Sequence, residues 1–379
     1  MRVRYNIFHV ITTLSYGGAE AMLYRLLSHL SKNTSFQHSV VSLTGLGVHG
    51  PRLIEMGTPV YCLHMKGGRP EFRTLTKLYL LLKEYRPCVL QTWLYHADLL
   101  GLIVGRLARV PRIVWNVRCS NMDFRYYART TLWIFALLSR LSRIPDAVVV
   151  NSEAGRQFHS QVGYNPRRWE VIPNGFEIER HKPDTEARTR YRLSVGLDES
   201  VRVIGMVARY DPMKDHATFF AAARRLSDVL PDVCFVLVGK GMDEGNNDIK
   251  EMIQKNGLRD RTYLLGERVD APDIFPAFDI NTLSSSFGEG FSNVLGEAMA
   301  CGVPCVSTNV GDSAYIIGDT GKVVPSKNST ALAQAWFELL SIAPEQRSEL
   351  GLKARRRIEG EFSISNVAQR YEKLYLELV

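Results

Sequence analysis

Apolar residues in this chain come as short, β-branched runs separated by stretches of helical spacing. The first run covers 5–14 and is closed by Ser15-Tyr16-Gly17-Gly18. Residues 19–30 then carry Met22, Leu23, Leu26, Leu27 and Leu30 on one side of a helix. Further short runs at 39–43, 60–63, 88–93, 112–117 and 147–151 read as strands, with helices at 75–85 and 97–108 between some of them. Strand–helix alternation of this kind predicts a parallel sheet with helices on both faces.

The pattern restarts after Val171-Ile172-Pro173-Asn174-Gly175. Strands are expected at 202–207, 235–238, 262–265, 280–283 and 304–307, with a helix at 217–230. The Pro-Asn-Gly turn and the charged segment 177–184 mark a domain boundary. The expected class is therefore α/β, with two doubly wound, Rossmann-like domains at 1–176 and 177–364. Ligands gather at the carboxyl ends of such strands. The last helix, 365–378, fits either domain by pattern alone.

Composition narrows the class. A chain of 379 residues can bury two cores. The longest apolar run, 132–138, is far short of the ~20 residues that span a bilayer, and the N-terminus leads into a strand without a signal-peptide pattern. The six cysteines show no CxxC spacing, as expected of thiols in a reducing cytosol. Charge is uneven: residues 1–190 carry a net +13 and residues 191–379 a net −5. The first half is thus expected to face something anionic.

The densest chemistry lies in Phe287-Gly288-Glu289-Gly290-Phe291-Ser292-Asn293-Val294-Leu295-Gly296-Glu297. Two carboxylates flank a small-residue turn that opens a helix. Glycines let backbone approach a ligand, and free amides of a first helical turn favour a diphosphate. Glu289 and Glu297 can accept hydrogen bonds from hydroxyls. Arg209 and Lys214 follow a strand, where cations meet a diphosphate. Together these suit a nucleotide sugar. Each has a blander reading: helix-end carboxylates, surface charges, a tight turn at Gly17-Gly18. His96 and His216 read equally as acid–base groups or as structural imidazoles, and Asp98 as a helix N-terminal charge. Gly239-Lys240-Gly241 lacks the dinucleotide spacing. No cluster has metal-ligand spacing, and no D-x-D is present to hold a cation on donor phosphates.

Residues 287–310 closely resemble the E-x7-E signature of the retaining glycosyltransferases of family GT4, which have the GT-B fold. Tyr16-Gly17-Gly18-Ala19-Glu20, residues 207–216 and Val171-Ile172-Pro173-Asn174-Gly175 resemble that family's glycine loop, phosphate motif and interdomain segment. Thr92-Trp93-Leu94-Tyr95-His96-Ala97-Asp98, Gly311-Asp312-Ser313 and Gly318-Asp319-Thr320-Gly321 resemble its O-antigen and capsule branch. The resemblance implies two domains facing across a cleft. The first would bind the acceptor, with helix 365–379 crossing back to it, and the second the donor. It assigns Glu289 to the donor sugar, Glu297 to the ribose, and Arg209 and Lys214 to the diphosphate. Backbone at Gly290, Phe291, Ser292 and Asn293 would cradle the phosphates, Arg268 and Val269 would lie near the base, and Gly17 and Gly18 would approach the donor.

One departure stands out. Where many members carry a histidine that contacts the sugar, this chain has Arg118 and Cys119. His96 and Arg118 are therefore candidate acceptor or sugar contacts. The implied reaction moves a hexose or N-acetylhexosamine from a nucleotide sugar, expected to be a UDP-sugar, to a lipid-linked or oligosaccharide acceptor. It needs no metal and no cofactor beyond the donor, and no nucleic acid is involved. A GT-B nucleotide-sugar epimerase and a non-catalytic sugar-nucleotide-binding protein are the alternatives. The basic first half adds an expected peripheral site on the anionic inner face of the cell membrane. Arg125, Arg129, Arg140 and Arg143 flank Tyr126, Tyr127 and 132–138, while Lys66, Arg69, Arg73 and Lys77 lie beside Phe72.

Overall fold

The structure is a computed structural model that describes residues 5–31, 35–65, 72–120, 125, 128–268 and 270–379. Its strands are β1 (Tyr5–Ile11), β2 (Phe36–Ser42), β3 (Val60–Cys62), β4 (Val89–Trp93), β5 (Arg112–Val117), β6 (Ala147–Val150), β7 (Trp169–Val171), β8 (Arg202–Val207), β9 (Val233–Val238), β10 (Thr262–Leu264), β11 (Ile280–Leu283), β12 (Cys305–Thr308) and β13 (Lys322–Val324). The chain forms two compact units, Met1–Gly175 with Ile364–Val379, and Phe176–Ser363.

The first unit holds a seven-stranded sheet in the order β3-β2-β1-β4-β5-β6-β7. Every pairing is parallel, from Tyr5 opposite Phe36 to Val150 opposite Val171. Parallel strands are covered on both faces, so they read as continuous apolar runs. In β1, Phe8 and Val10 pack into the core with Leu78, Leu82 and Leu100. Ile7 and Ile11, on the other face, meet Met22, Leu23 and Leu26 of the helix Gly18–Leu30 and Val367, Tyr371 and Tyr375 of the helix Ile364–Leu378. That last helix is tied down by polar bonds as well. Asn116 Nδ2 donates to the Tyr371 hydroxyl at 3.1 Å, and the Tyr375 hydroxyl donates to Gln91 Oε1. Gly175 leaves room for it: a Cβ there would lie 2.8 Å from Ile364 Cδ1.

The second unit holds six parallel strands in the order β10-β9-β8-β11-β12-β13. Ile204 and Met206 of β8 face one core layer with Phe219, Phe220 and Trp336, and Val203 faces the other with Leu295, Ile316 and Phe362. Strand order reverses between β1 and β4 in one sheet and between β8 and β11 in the other, which is where such sheets take ligands.

Two strands, β7 and β13, go beyond the periodicity reading. Each is a three-residue edge strand that includes a charged residue, Glu170 or Lys322, and so lacks an apolar run. The first strand also stops at Ile11 rather than at 14. Among the described residues no helix is long and apolar enough to cross a membrane.

Candidate active site

In the second unit the chain after β8 tightens into a 3-10 turn, Pro212–Lys214. The Asp211 side chain caps it by accepting from Met213 N at 2.9 Å. Asp215 then takes a left-handed conformation, φ 50°, and caps the helix His216–Ser227. These two caps turn the Lys214 side chain inward, where only 9% of the residue is exposed. Its Nζ donates to Glu289 Oε1 at 2.5 Å, and Ser285 Oγ donates to the same oxygen at 2.6 Å. Glu289 is itself buried. Burial pushes its carboxyl up, but the Lys214 charge, the bonds from Lys214 and Ser285 and the charge of Arg209 outweigh it and hold the carboxyl below its ordinary range. The site carries a carboxylate that stays ionised and an ammonium beside it.

Two glycines make this geometry possible. Gly288 has φ 79°, and a Cβ there would lie 2.5 Å from Met213 Sδ. Gly311 has φ 61° and packs so closely that a Cβ would lie 2.4 Å from Glu289 O. Asp312 N donates to Gly290 O at 2.9 Å, fixing the turn that leads to the helix Asn293–Ala300. Ser292 is the residue before that helix, and its hydroxyl makes no capping bond. The Phe291 ring is in the core against Phe176 and Phe362, so only its backbone is available to a substrate. Asn293 and Glu297 are half-buried on the helix. Gly296 is required by packing: a Cβ would sit 2.1 Å from the Phe176 ring.

Arg209 lies at the mouth, largely exposed, with Nε and Nη2 held by Asp211 Oδ2 at 3.0 and 2.8 Å. Arg268 is engaged by Asp270 through two bonds, 2.9 and 2.7 Å; Val269 lies outside the described residues. His216 is buried under Tyr210, its ring 5.6 Å away. Burial and the Lys214 charge push its imidazole down to about 4 against the pull of Asp211, so it is neutral near pH 7. Ser285, which completes the Glu289 shell, carried no signal in the sequence beyond a run of three serines.

In the first unit Gly17, Gly18, His96 and Arg118 follow β1, β4 and β5 at their carboxyl ends. Gly17 is extended, and a Cβ there would meet Glu20 Oε2 at 2.2 Å. The buried Glu20 carboxyl thus folds back over the start of its own helix, and a Cβ at Gly17 would displace only the end of that side chain. Burial outweighs the bond from its own backbone N–H and pushes this carboxyl up. His96 is half-buried, and burial lowers its imidazole. Leu94, at the corner before it, has φ 73°, a strained conformation for a leucine.

Asp98 lies in the first turn of the helix Tyr95–Leu107, as read, but not as an exposed charge. It is fully buried and accepts from Thr92 Oγ1 at 2.5 Å. Burial raises its carboxyl well above the ordinary value despite that bond and one from the Asn116 backbone. Behind it the Tyr95 hydroxyl bonds His159 Nε2 and Cys119 Sγ, each at 2.8 Å. Cys119 is thus a half-buried partner of Tyr95, and desolvation pushes its thiol up to about 11.

Two family models match the chain: "Glycosyltransferase Family 4" over residues 16–180 and "Glycosyl transferases group 1" over residues 201–341. Among curated proteins, the chain is 26% identical to an Escherichia coli UDP-Gal:alpha-D-GlcNAc-diphosphoundecaprenol alpha-1,3-galactosyltransferase, over 82% of this chain and 80% of that one. It is 26% identical to the lipopolysaccharide core biosynthesis mannosyltransferase LpsB of Rhizobium meliloti, over 78% and 81%. Among solved structures, Anabaena HepE in complex with UDP and glucose superposes with a TM-score of 0.86 at 21% identity, over 99% of this chain and all of that one. Sucrose-phosphate synthase of Thermosynechococcus elongatus gives 0.81 at 19%, over 99% of each. These likenesses show the fold that the sequence resemblance implied.

Proposed function

The chain belongs to the family 4, group 1 glycosyltransferases, and from that premise we propose that it is a retaining transferase. It moves a hexose or N-acetylhexosamine from a UDP-sugar to a lipid-linked or oligosaccharide acceptor in the assembly of a surface polysaccharide. The observation that carries this reading is the buried Lys214–Glu289 pair at the carboxyl ends of β8 and β11, where a sheet of this order takes its ligand. UDP as donor nucleotide is supported by the UDP named in the HepE complex and in the galactosyltransferase.

Glu289, fixed as a carboxylate, accepts hydrogen bonds from donor-sugar hydroxyls. Glu297 accepts from the ribose diol. As the glycosidic bond breaks, the sugar becomes cationic and negative charge builds on the diphosphate. Arg209, Lys214 and the amides at 290–293 stabilise that charge, a contribution that is often the largest in such sites. The acceptor hydroxyl attacks from the same face, and the departing phosphate takes its proton. Arg268 reaches the base once Asp270 releases it. The first unit binds the acceptor and the second the donor.

The first unit also supports peripheral attachment to an anionic membrane face. The helix Arg129–Leu141 buries Phe135 and Leu138 but exposes Trp133 (77%) and Leu137. The adjoining helix Tyr95–Leu107 exposes Ile103 and Leu107, and the helix Phe72–Tyr85 exposes Phe72 and Leu80. Arg73, Lys77, Arg129, Arg140 and Arg143 are exposed around them. Each such cation contributes about 1 kcal/mol near an anionic leaflet, and the aromatic rings add insertion. Lys66, Arg69, Tyr126 and Tyr127 lie outside the described residues.

Incubation with UDP-sugars, with and without a lipid-linked acceptor, tests the reaction. Transfer only with acceptor is expected, whereas donor conversion without it means an epimerase and no turnover means a binding protein. Co-sedimentation with anionic vesicles tests the surface. Wild type should pellet at low salt, and Trp133→Ser with Arg73→Glu and Lys77→Glu should not; wild type remaining in the supernatant defeats the membrane reading.

A further inference from the structure

Among the described residues, Arg118 of the first unit has no carboxylate to answer its charge. Arg118 follows β5, and its guanidinium carbon lies 4.8 Å from the ring centroid of Trp93, the last residue of β4. Nε, Nη1 and Nη2 are all shut off from solvent, and among the described residues none makes a hydrogen bond of ordinary geometry. The Tyr371 hydroxyl, which receives Asn116 Nδ2, stands beside it and gives it a polar contact but no carboxylate. The charged side chain that acts on it is another cation, Arg25 of the helix Gly18–Leu30. A buried guanidinium without a counter-charge is unfavourable, and a face-on contact with one indole beside a phenol hydroxyl offsets only a fraction of that.

The location is equally specific. Strand order reverses between β1 and β4, so the crevice that takes ligands opens at their carboxyl ends. Trp93 ends β4, and Arg118 leans over it. A sugar hydroxyl would satisfy one N–H but leave the charge unbalanced. A phosphate matches the planar donor fork with two oxygens and brings the missing charge.

We propose that Arg118 holds a phosphate or diphosphate oxyanion of the acceptor, so that this chain extends phosphorylated acceptors rather than neutral sugars. Assigning the oxyanion to the acceptor rests on the glycosyltransferase reading, in which Arg209 and Lys214 of the other unit serve the donor diphosphate.

Calorimetry on the full-length protein tests this with n-decyl diphosphate, which has neither nucleoside nor sugar, and separately with UDP. Wild type is expected to bind both. Arg118→Gln should weaken decyl diphosphate at least tenfold and leave UDP unchanged, and Lys214→Ala should do the reverse. The proposal is overturned if wild type does not bind decyl diphosphate. It is equally overturned if Arg118→Gln binds it normally, or if that variant instead loses UDP, which would make the oxyanion the donor's. Should Arg118→Gln melt abnormally, Arg118→Lys replaces it: one ammonium in place of the fork should cost at least threefold, and equal binding refutes the claim. If wild type transfers no sugar yet binds decyl diphosphate through Arg118, the oxyanion site stands and the transferase reading falls.

Discussion

Replacing Glu289 by glutamine keeps the shape of the side chain and removes its charge. The Lys214 ammonium, 9% exposed, then has an amide oxygen where it had a carboxylate at 2.5 Å. Breaking a buried pair by removing one partner costs about 3–5 kcal/mol. Because the amide still accepts from Nζ and from Ser285 Oγ, the expected loss is at the lower end, about 3 kcal/mol. For a unit of this size that is a fall of about 6–12 °C in its melting temperature. Lys214→Met strands the carboxylate instead and should cost a similar amount. The double variant removes both charges, so its loss should fall short of the sum of the two by about 2 kcal/mol or more. Differential calorimetry at pH 7, following the transition of the Phe176–Ser363 unit, reads all four corners of the cycle. The coupling should persist at pH 5.5, since the Glu289 carboxyl is held below its ordinary range. Additivity within about 0.5 kcal/mol would show that the two charges do not depend on each other and would undo the argument for a carboxylate kept ionised in the site.

Three further outcomes are expected. Glu297→Ala should weaken UDP binding by about 1–3 kcal/mol while turnover at saturating donor falls much less; an unchanged dissociation constant in calorimetry counts against its ribose role. Transfer should survive exhaustive chelation, because Arg209, Lys214 and a helix N-terminus answer the diphosphate charge; activity lost in EDTA and restored by Mg²⁺ would overturn that assignment. Acid should destabilise the fold well above the carboxylate range. Burial pushes His38, His159 and His216 down to about 4 from 6.5, so each contributes stability that is complete above pH 6.5 and lost as pH falls toward 4. At pH 5 the loss is about 2 kcal/mol per group. Urea titrations at pH 7 and pH 5 with matching midpoints would contradict this.

Much of the architecture was legible because parallel strands are buried on both faces and leave a strong local signal. The runs at 112–117, 202–207 and 280–283 coincide with observed strands to the residue, and the helix starting at Gly18 lies one position from its expected start. The edge strands β7 and β13 were not legible, because Glu170 and Lys322 interrupt their three residues, whereas the equally short edge strands β3 and β10 are uncharged and were read. In the same way, Gly288 and Glu289 announce a turn and an acid, but not what they touch. Contact of Gly288 with Met213, 75 residues earlier, and of Glu289 with Lys214 exists only once β8 and β11 lie side by side.

Local chemistry and period are properties of neighbours in sequence, and they determined the α/β class, the strand–turn–helix setting of the carboxylates and the excess of positive charge in the first half. Burial and charge pairing are sums over neighbours in space, and only the tertiary structure decided them. It turned the helix-end Asp98 into a buried acid bonded to Thr92 and made His216 a neutral core imidazole rather than an acid–base group. It assigned Phe291 to the core by its ring and set Arg118 over Trp93 with no counter-charge among the described residues. The free energy of an ionisable side chain is set by the dielectric and the charges around it, and those come from segments tens to hundreds of residues away.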